Sequence, residues 1–369
     1  MFFSSLGDQL KILTLLVSLL ITTTTLAREV DQYMAWGHTL SDSGPVIDQY
    51  IRDGLKKAIV EINTKKYHYV TKRRRGTRRR IKVETNWYKS CTLVAHKVMR
   101  EAFYSPTYQK IEDFVDNDPS LDRYPRRPST KDKELRKKLK ETPNFGFMTD
   151  KEYLKRSIVR TSPLNSPLAR IVNVYGIYSG ADKFGHFTSF GVRYLKKIHK
   201  KMKKGLSYEQ ALKKVFNYGY TSEKSYVGML FTKVFSRGDL EANYQGLVFS
   251  KSLCDSSSTF RLENNGKSWS FKNLNQFSIR NYINPNWDES HNNSLFTAKK
   301  WNKAVIPTVL ENKYCEKLDS NWVRELKERY ITLEKKSLNK EFEGAWIKKK
   351  FDSFDPKTHS LIELCSKIK

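Results

Sequence analysis

Apolar residues recur at helical spacing early in the chain. Val46, Ile47, Tyr50, Ile51, Leu55, Ile59 and Ile62 share one face, which predicts an amphipathic helix over 45–63. Ser43 stands at the capping position, with Pro45 in the first turn. Similar patterning predicts helices over 86–103, 147–158, 295–310 and 316–338. Alternation of period two is scarce, no internal repeat is present, and 254–294 is polar with scattered Ser, Asn and Gly. The pattern predicts a mainly α, multi-helix globular protein with irregular polar loops.

A different apolar pattern opens the chain. Ile12 to Ile21 is a ten-residue run, too short to cross a bilayer but the length of a signal-peptide hydrophobic region. Thr25-Leu26-Ala27 offers a small-x-small cleavage site, so residues 1–27 are expected to be a signal peptide. No later stretch is long and apolar enough for a membrane helix, so no integral membrane segment is expected after cleavage. The rest divides by composition into four parts. These are an N-terminal helical region (28–115), a charged linker (116–146), a core helical module (147–255) and a C-terminal loop and helical region (256–369).

Composition narrows the class. Hydrophobic residues make up 38% of the 369, including 20 Phe, 20 Tyr and 7 Trp, enough for a packed core and against a disordered chain. The formal net charge of +29 predicts attraction to polyanions. Behind a signal peptide the expected partner is an anionic envelope polymer or lipid surface, in the periplasm or outside a bacterial cell. Nucleic acid is a further polyanion but not the favoured one. Residues 72–80 hold seven positive charges in nine, so 71–82 is expected to be a self-repelling, exposed basic loop. Cys91, Cys254, Cys315 and Cys365 allow two disulfides in an exported chain, with three pairings open. No spacing matches a zinc knuckle, and no cofactor is specified.

Candidate chemistry gathers in three stretches. YSGADKFGHFTSF places Asp182 and His186 four apart on one helical face, with Lys183 beside them. LSYEQALKKVFNYGYTSEKSY opens with a Ser207/Gln210 capping box and carries Glu223 towards its C-terminal end, where the helix dipole disfavours a carboxylate. VFSRGDLEANYQGLVF caps with Ser236 and sets Asp239 and Asn243 four apart, with Gly246 continuing that face. Three successive helices thus offer polar groups: Asp182, Lys183 and His186; Glu223; Asp239 and Asn243. A secondary group, Asp288, Glu289 and His291, follows Trp287 in a polar loop. Trp36-Gly37-His38 reads as a similar polar stretch. Cys91 and His96 lie on different sides of their helix and form no dyad. There is no Gly-rich phosphate loop, G-x-S-x-G or H-E-x-x-H.

The order DKxxHF, then a helical Glu, then S-x-x-DL-x-AN-x-x-G resembles the VanZ-like and YfiM-like group of bacterial envelope proteins. Asp182, Lys183, His186, Phe187, Glu223, Ser236, Asp239, Leu240, Ala242, Asn243 and Gly246 carry the resemblance, within residues 178–250. It implies a helical core with a three-helix polar site, here in an exported, soluble version, and it implies no activity. VanZ-like proteins place these motifs in transmembrane helices, whereas the helix after His186 continues as RYLKKIHKKMKK, which lipid would reject. Tyr226 stands where a Gln follows the VanZ-like Glu. Three uses of the site are open. It is a metal centre for hydrolysis built from His186, Glu223 and Asp239. It binds an anionic envelope component through Lys183 and His186. Or it is a satisfied polar network that fixes helix packing. Polyanion binding through 71–82 is a separate possibility.

Overall fold

A computed structural model describes residues 28–64, 67–74, 77–84, 90–104, 109–128, 137, 146–159, 168–225, 228–229, 232–350 and 360–368. The expected signal peptide, 1–27, lies outside the described residues.

The chain is mainly helical, as its patterning predicts. The first amphipathic helix, α1, spans Gly44–Thr64 and buries Ile47, Ile51, Leu55, Ile59 and Ile62. Its first-turn Gly44 N–H donates to Asp42 rather than to Ser43. A two-stranded antiparallel ribbon follows, β1 (Tyr67–Arg74) and β2 (Thr77–Glu84), in a register from Tyr67↔Glu84 to Arg74↔Thr77. This corrects the expected loop over 71–82. Tyr, Val, Thr and Ile around the arginines favour extended backbone, and that preference outweighs the like-charge repulsion that argued for a loop.

Next come α2 (Cys91–Phe103) and α3 (Lys110–Asn117). Strand β3 (Arg123–Tyr124) pairs with β4 (Ile171–Val174), which pairs with β5 (Ile177–Gly180); α4 (Asp150–Arg156) lies between β3 and β4 in sequence. The described part of the expected charged linker is therefore built into the fold. Leu121 is buried, and Asp116 is buried while bonding Arg28, Arg127 and the Arg170 N–H.

From β5 the chain enters α5 (Ala181–Gly185), a π-helical turn (His186–Phe190) and α6 (Gly191–Met202) without a break. The capping box of Ser207 and Gln210 starts α7 (Tyr208–Lys224). Strand β6 (Val234–Phe235) precedes α8 (Arg237–Ser252), whose Ser236 side chain accepts from the Asp239 N–H. The polar stretch after α8 is mostly irregular, with one hairpin, β7 (Arg261–Asn264) and β8 (Trp269–Lys272). Strand β9 (Leu295–Phe296) pairs with β6. The C-terminal helices are α9 (Ala298–Lys300), α10 (Ile306–Glu311), α11 (Tyr314–Leu318), α12 (Asn321–Leu333), α13 (Leu338–Lys350) and α14 (Leu361–Ile368), with a second π-helical turn, Trp301–Val305, between α9 and α10.

The largest apolar cluster runs from Val30 through α1, α2, β4 and α5 to Phe249, Trp287 and Tyr330. It draws on all four compositional segments. A second cluster joins Tyr33, Trp36, Tyr153, Trp301, Tyr314 and Cys365, and a third joins Tyr194, Phe216, Tyr220, Leu247 and Ile347. Of the three possible pairings the molecule adopts Cys91–Cys254 with Cys315–Cys365. Two bridges fit an oxidising compartment. Among the described residues no helix is long and apolar enough to cross a membrane.

Candidate functional site

The polar groups predicted on three helices meet in the interior. β5 ends at Gly180, and Asp182 occupies the first turn of α5, where the helix dipole favours a carboxylate. The π-helical turn begins at His186. Helix α8 packs against this turn and α6. Two glycines allow the approach: a Cβ on Gly246 would collide with the Phe187 carbonyl, and one on Gly191 with the Gly246 backbone. That contact carries Asp239 and Asn243 up to α5 and the π turn.

Lys183 is the centre. Its side chain is fully buried, and Nζ lies 2.6 Å from Asp182 Oδ2, Asp239 Oδ1 and Glu289 Oε1. The ammonium's three donors thus meet three carboxylates. The Ser236 hydroxyl donates to Glu289 Oε1 at 2.6 Å and accepts from the Asp239 N–H at 3.0 Å. Ser294 Oγ donates to Glu289 Oε2 at 2.9 Å. His186 Nε2 is 3.1 Å from Asp239 Oδ2, its Nδ1 is 3.1 Å from Asn243 Oδ1, and the ring stacks on Phe190. A neutral imidazole donates through one nitrogen only. With Nε2–H given to Asp239, Nδ1 is best matched by the Asn243 amide turned to present its NH2 group.

Glu223 sits at the edge of this network. Its Oε1 accepts the Ser236 N–H at 3.2 Å, so it holds the start of α8 rather than pairing with Lys183. Glu29, which the patterning did not single out, is buried and accepts from Thr232 Oγ1 at 2.8 Å. Lys300 donates to the Thr232 carbonyl nearby.

The secondary group does not form a site of its own. Glu289 joins Lys183, while Asp288 accepts from Tyr330 OH and Ser290 Oγ, each at 2.7 Å. The His291 ring stands edge-on to Tyr330. The set proposed for a metal, His186, Glu223 and Asp239, is also not the set that converges. Among the described residues the carboxylate oxygens that approach within 4.8 Å of one another belong to Asp182, Asp239 and Glu289. Lys183 puts its ammonium against all three.

Burial controls the protons. It pushes Asp182 up to about 7 against the pull of Lys183, and it raises Asp239. Burial, then the charge of Asp239, holds Glu223 and Glu29 well above the carboxylate range. Burial opposes charge on Lys183, but Asp182, Asp239 and Glu289 outweigh it and keep the ammonium protonated. Burial, then Lys183, pushes His186 down to about 4. Glu112, paired with Arg28 at 3.2 Å, is driven by burial up to about 8.

A pH dependence follows. Asp182 and Glu112 hold protons more tightly folded than unfolded. The stability they contribute is complete below the ordinary carboxylate range, and it is lost as pH rises through about 7 and about 8. His186 acts oppositely, costing stability as pH falls from 6.5 to about 4. Above 6.5 only the carboxyl effect remains of the two. The melting temperature is therefore expected to fall between about pH 6.5 and about pH 8. Asp182→Asn should flatten that fall; an unchanged slope would remove Asp182 from the titration.

Comparison of the chain with protein-family models, curated proteins and solved structures finds no match. What the site does rests on its own geometry.

Proposed function

We propose that the chain is an exported, cell-envelope binding protein of the periplasm or exterior. In this reading the Lys183 network is its internal brace, and its ligand is an anionic envelope component. The observation that carries this reading is the two-sidedness of α6. Tyr194, Leu195 and Ile198 are buried against the third apolar cluster, while Lys196 and Lys200 are exposed. The helix is locked from inside through Gly191 and the adjoining π turn, so its basic side is held as a rigid surface. The meeting of Asp182, Lys183, His186, Asp239 and Asn243 supports a VanZ/YfiM-like core, here with no helix among the described residues long and apolar enough to cross a membrane. The saturation of Lys183 by three carboxylates favours the brace over a catalytic centre. A polar active site needs room for a reactant, and here the ammonium is already taken up by three carboxylates.

Binding by an exposed basic surface is screened by salt. Sedimentation with vesicles containing phosphatidylglycerol should retain the protein at about 0.1 M salt and release it at about 1 M, as the Debye length shrinks from about 10 to about 3 Å. Vesicles of phosphatidylcholine alone should retain little at either concentration. Equal retention on both lipids, or none on either, would defeat the reading.

A further inference from the structure

A groove of about 520 Å³ opens on the surface where α2, the π turn and α6 meet. Five cationic side chains line it: Arg100 from α2, and Arg193, Lys196, Lys197 and Lys200 from α6. Among the described residues no carboxylate lines it, and none of the five forms an ion pair with a described carboxylate. Arg193 and Lys197 lie instead over the rings of Phe190 and Tyr218. Below the charges is an apolar floor of Met99, Phe103 and Val192. Two of the lining residues, Ser189 and Gln109, each hold a buried polar atom without a hydrogen-bond partner, Oγ and Oε1.

We propose that this groove binds an anionic phospholipid, its phosphate head among Arg100, Arg193, Lys196 and Lys200 and its first acyl carbons on Met99, Phe103 and Val192. The inference rests on the envelope-binding reading and names the ligand class for it. Charge of one sign calls for an anion, and guanidinium groups suit phosphate oxygens. The volume falls in the range of organic-ligand pockets, about 300–1,000 Å³, more than a bare phosphate ion fills. The apolar floor supplies what a free phosphate would leave unused. Ser189 and Gln109 add a hydroxyl and an amide to the lining beside the cations.

His96, also in the lining, reports on the charge. Burial, then Lys196, Lys97, Arg100 and Arg193, holds it down to about 4. An anion among those groups cancels part of their field, so binding should raise the His96 pKa.

The test uses the full mature chain and four soluble probes: dihexanoyl-phosphatidylglycerol below its micelle concentration, its deacylated head glycerophosphoglycerol, dihexanoyl-phosphatidylcholine and inorganic phosphate. Ring resonances of His96 are followed by NMR, and affinities by titration. The short-chain phosphatidylglycerol should bind and raise the His96 pKa. The head alone, phosphatidylcholine and phosphate should each bind about tenfold more weakly or less. The double variant Lys196→Glu/Lys200→Glu changes two exposed residues and should keep its near-UV circular dichroism. It should lose about tenfold or more in affinity, as two reversed charges at a lipid-facing surface predict. Equal binding of phosphate and lipid would overturn the proposal in favour of a plain anion site. So would undiminished lipid binding by the double variant, which would also take the basic side of α6 out of the envelope-binding reading; equal binding of phosphate and lipid, by contrast, leaves that reading standing. Failure of wild-type protein to bind anionic vesicles would remove both.

Discussion

Lys183→Met is expected to be the most damaging single substitution in the molecule. It removes the ammonium that touches Asp182, Asp239 and Glu289 at once, three buried carboxylates whose oxygens lie within 4.8 Å of one another. Breaking a buried ion pair from one side typically costs about 3–5 kcal/mol, because the partner is left charged and desolvated. Here three partners are left. Against a native margin of about 5–15 kcal/mol, the variant should be largely unfolded at neutral pH or melt far below wild type. The loss should be smaller at about pH 5, where the stranded carboxyls take up protons. Adding Asp239→Asn should recover part of the stability. Urea unfolding at both pH values checks these points.

The same variant tests the metal reading. With the ammonium gone, the three carboxylates form an oxygen-rich position of the kind hard divalent cations occupy. Manganese or magnesium should raise the melting temperature of Lys183→Met and leave wild type unchanged. A rise in wild type, abolished by Asp239→Asn, would turn the assignment towards a metal centre.

Loss of the Cys91–Cys254 bridge ranks second. It closes a loop with a sequence separation of 163, tying the start of α2 to the end of α8. The chain-entropy treatment of a loop that long gives about 5 kcal/mol, near the upper end for native bridges. The Cys315–Cys365 bridge, with a separation of 50, gives about 4 kcal/mol by the same treatment. Replacing both members of each pair by Ala should therefore lower the denaturation midpoint more for the first pair than for the second. Reversal of that order would mean that local packing, rather than loop closure, sets what each bridge contributes.

How much of this was readable in the chain depends on range. Pairs four residues apart were legible, because helix geometry alone places Asp182 with His186 and Asp239 with Asn243. The Ser207 and Ser236 caps were legible for the same reason. The third carboxylate on Lys183 was not. Glu289 was noticed as part of a loop cluster, but nothing local says that it folds back onto α5 while its neighbour Asp288 turns to Tyr330. Glu29 stood in no pattern, since its partner Thr232 is remote. The strands Tyr67–Arg74 and Thr77–Glu84 are hard to read from sequence because a run of arginines masks the Tyr, Val and Ile that favour extended backbone. The groove was invisible: its cations come from α2 and α6, which only tertiary packing brings together.

The residues at the start of the described chain have a consequence for biogenesis. The Glu29 carbonyl accepts from Ala169 and its side chain meets Thr232; Gln32 donates to the Trp287 carbonyl; Tyr314 OH donates to Asp31. A polypeptide emerging N-terminus first from a ribosome gains these partners in turn, Ala169 before half its length is out and Trp287 and Tyr314 only towards the end. Its opening segment completes its native contacts only when residues as late as Tyr314 have been made. Such high contact order slows folding and lengthens exposure of apolar segments. It also keeps the chain threadable: a protein unable to finish its core early can pass a narrow pore without first being unfolded.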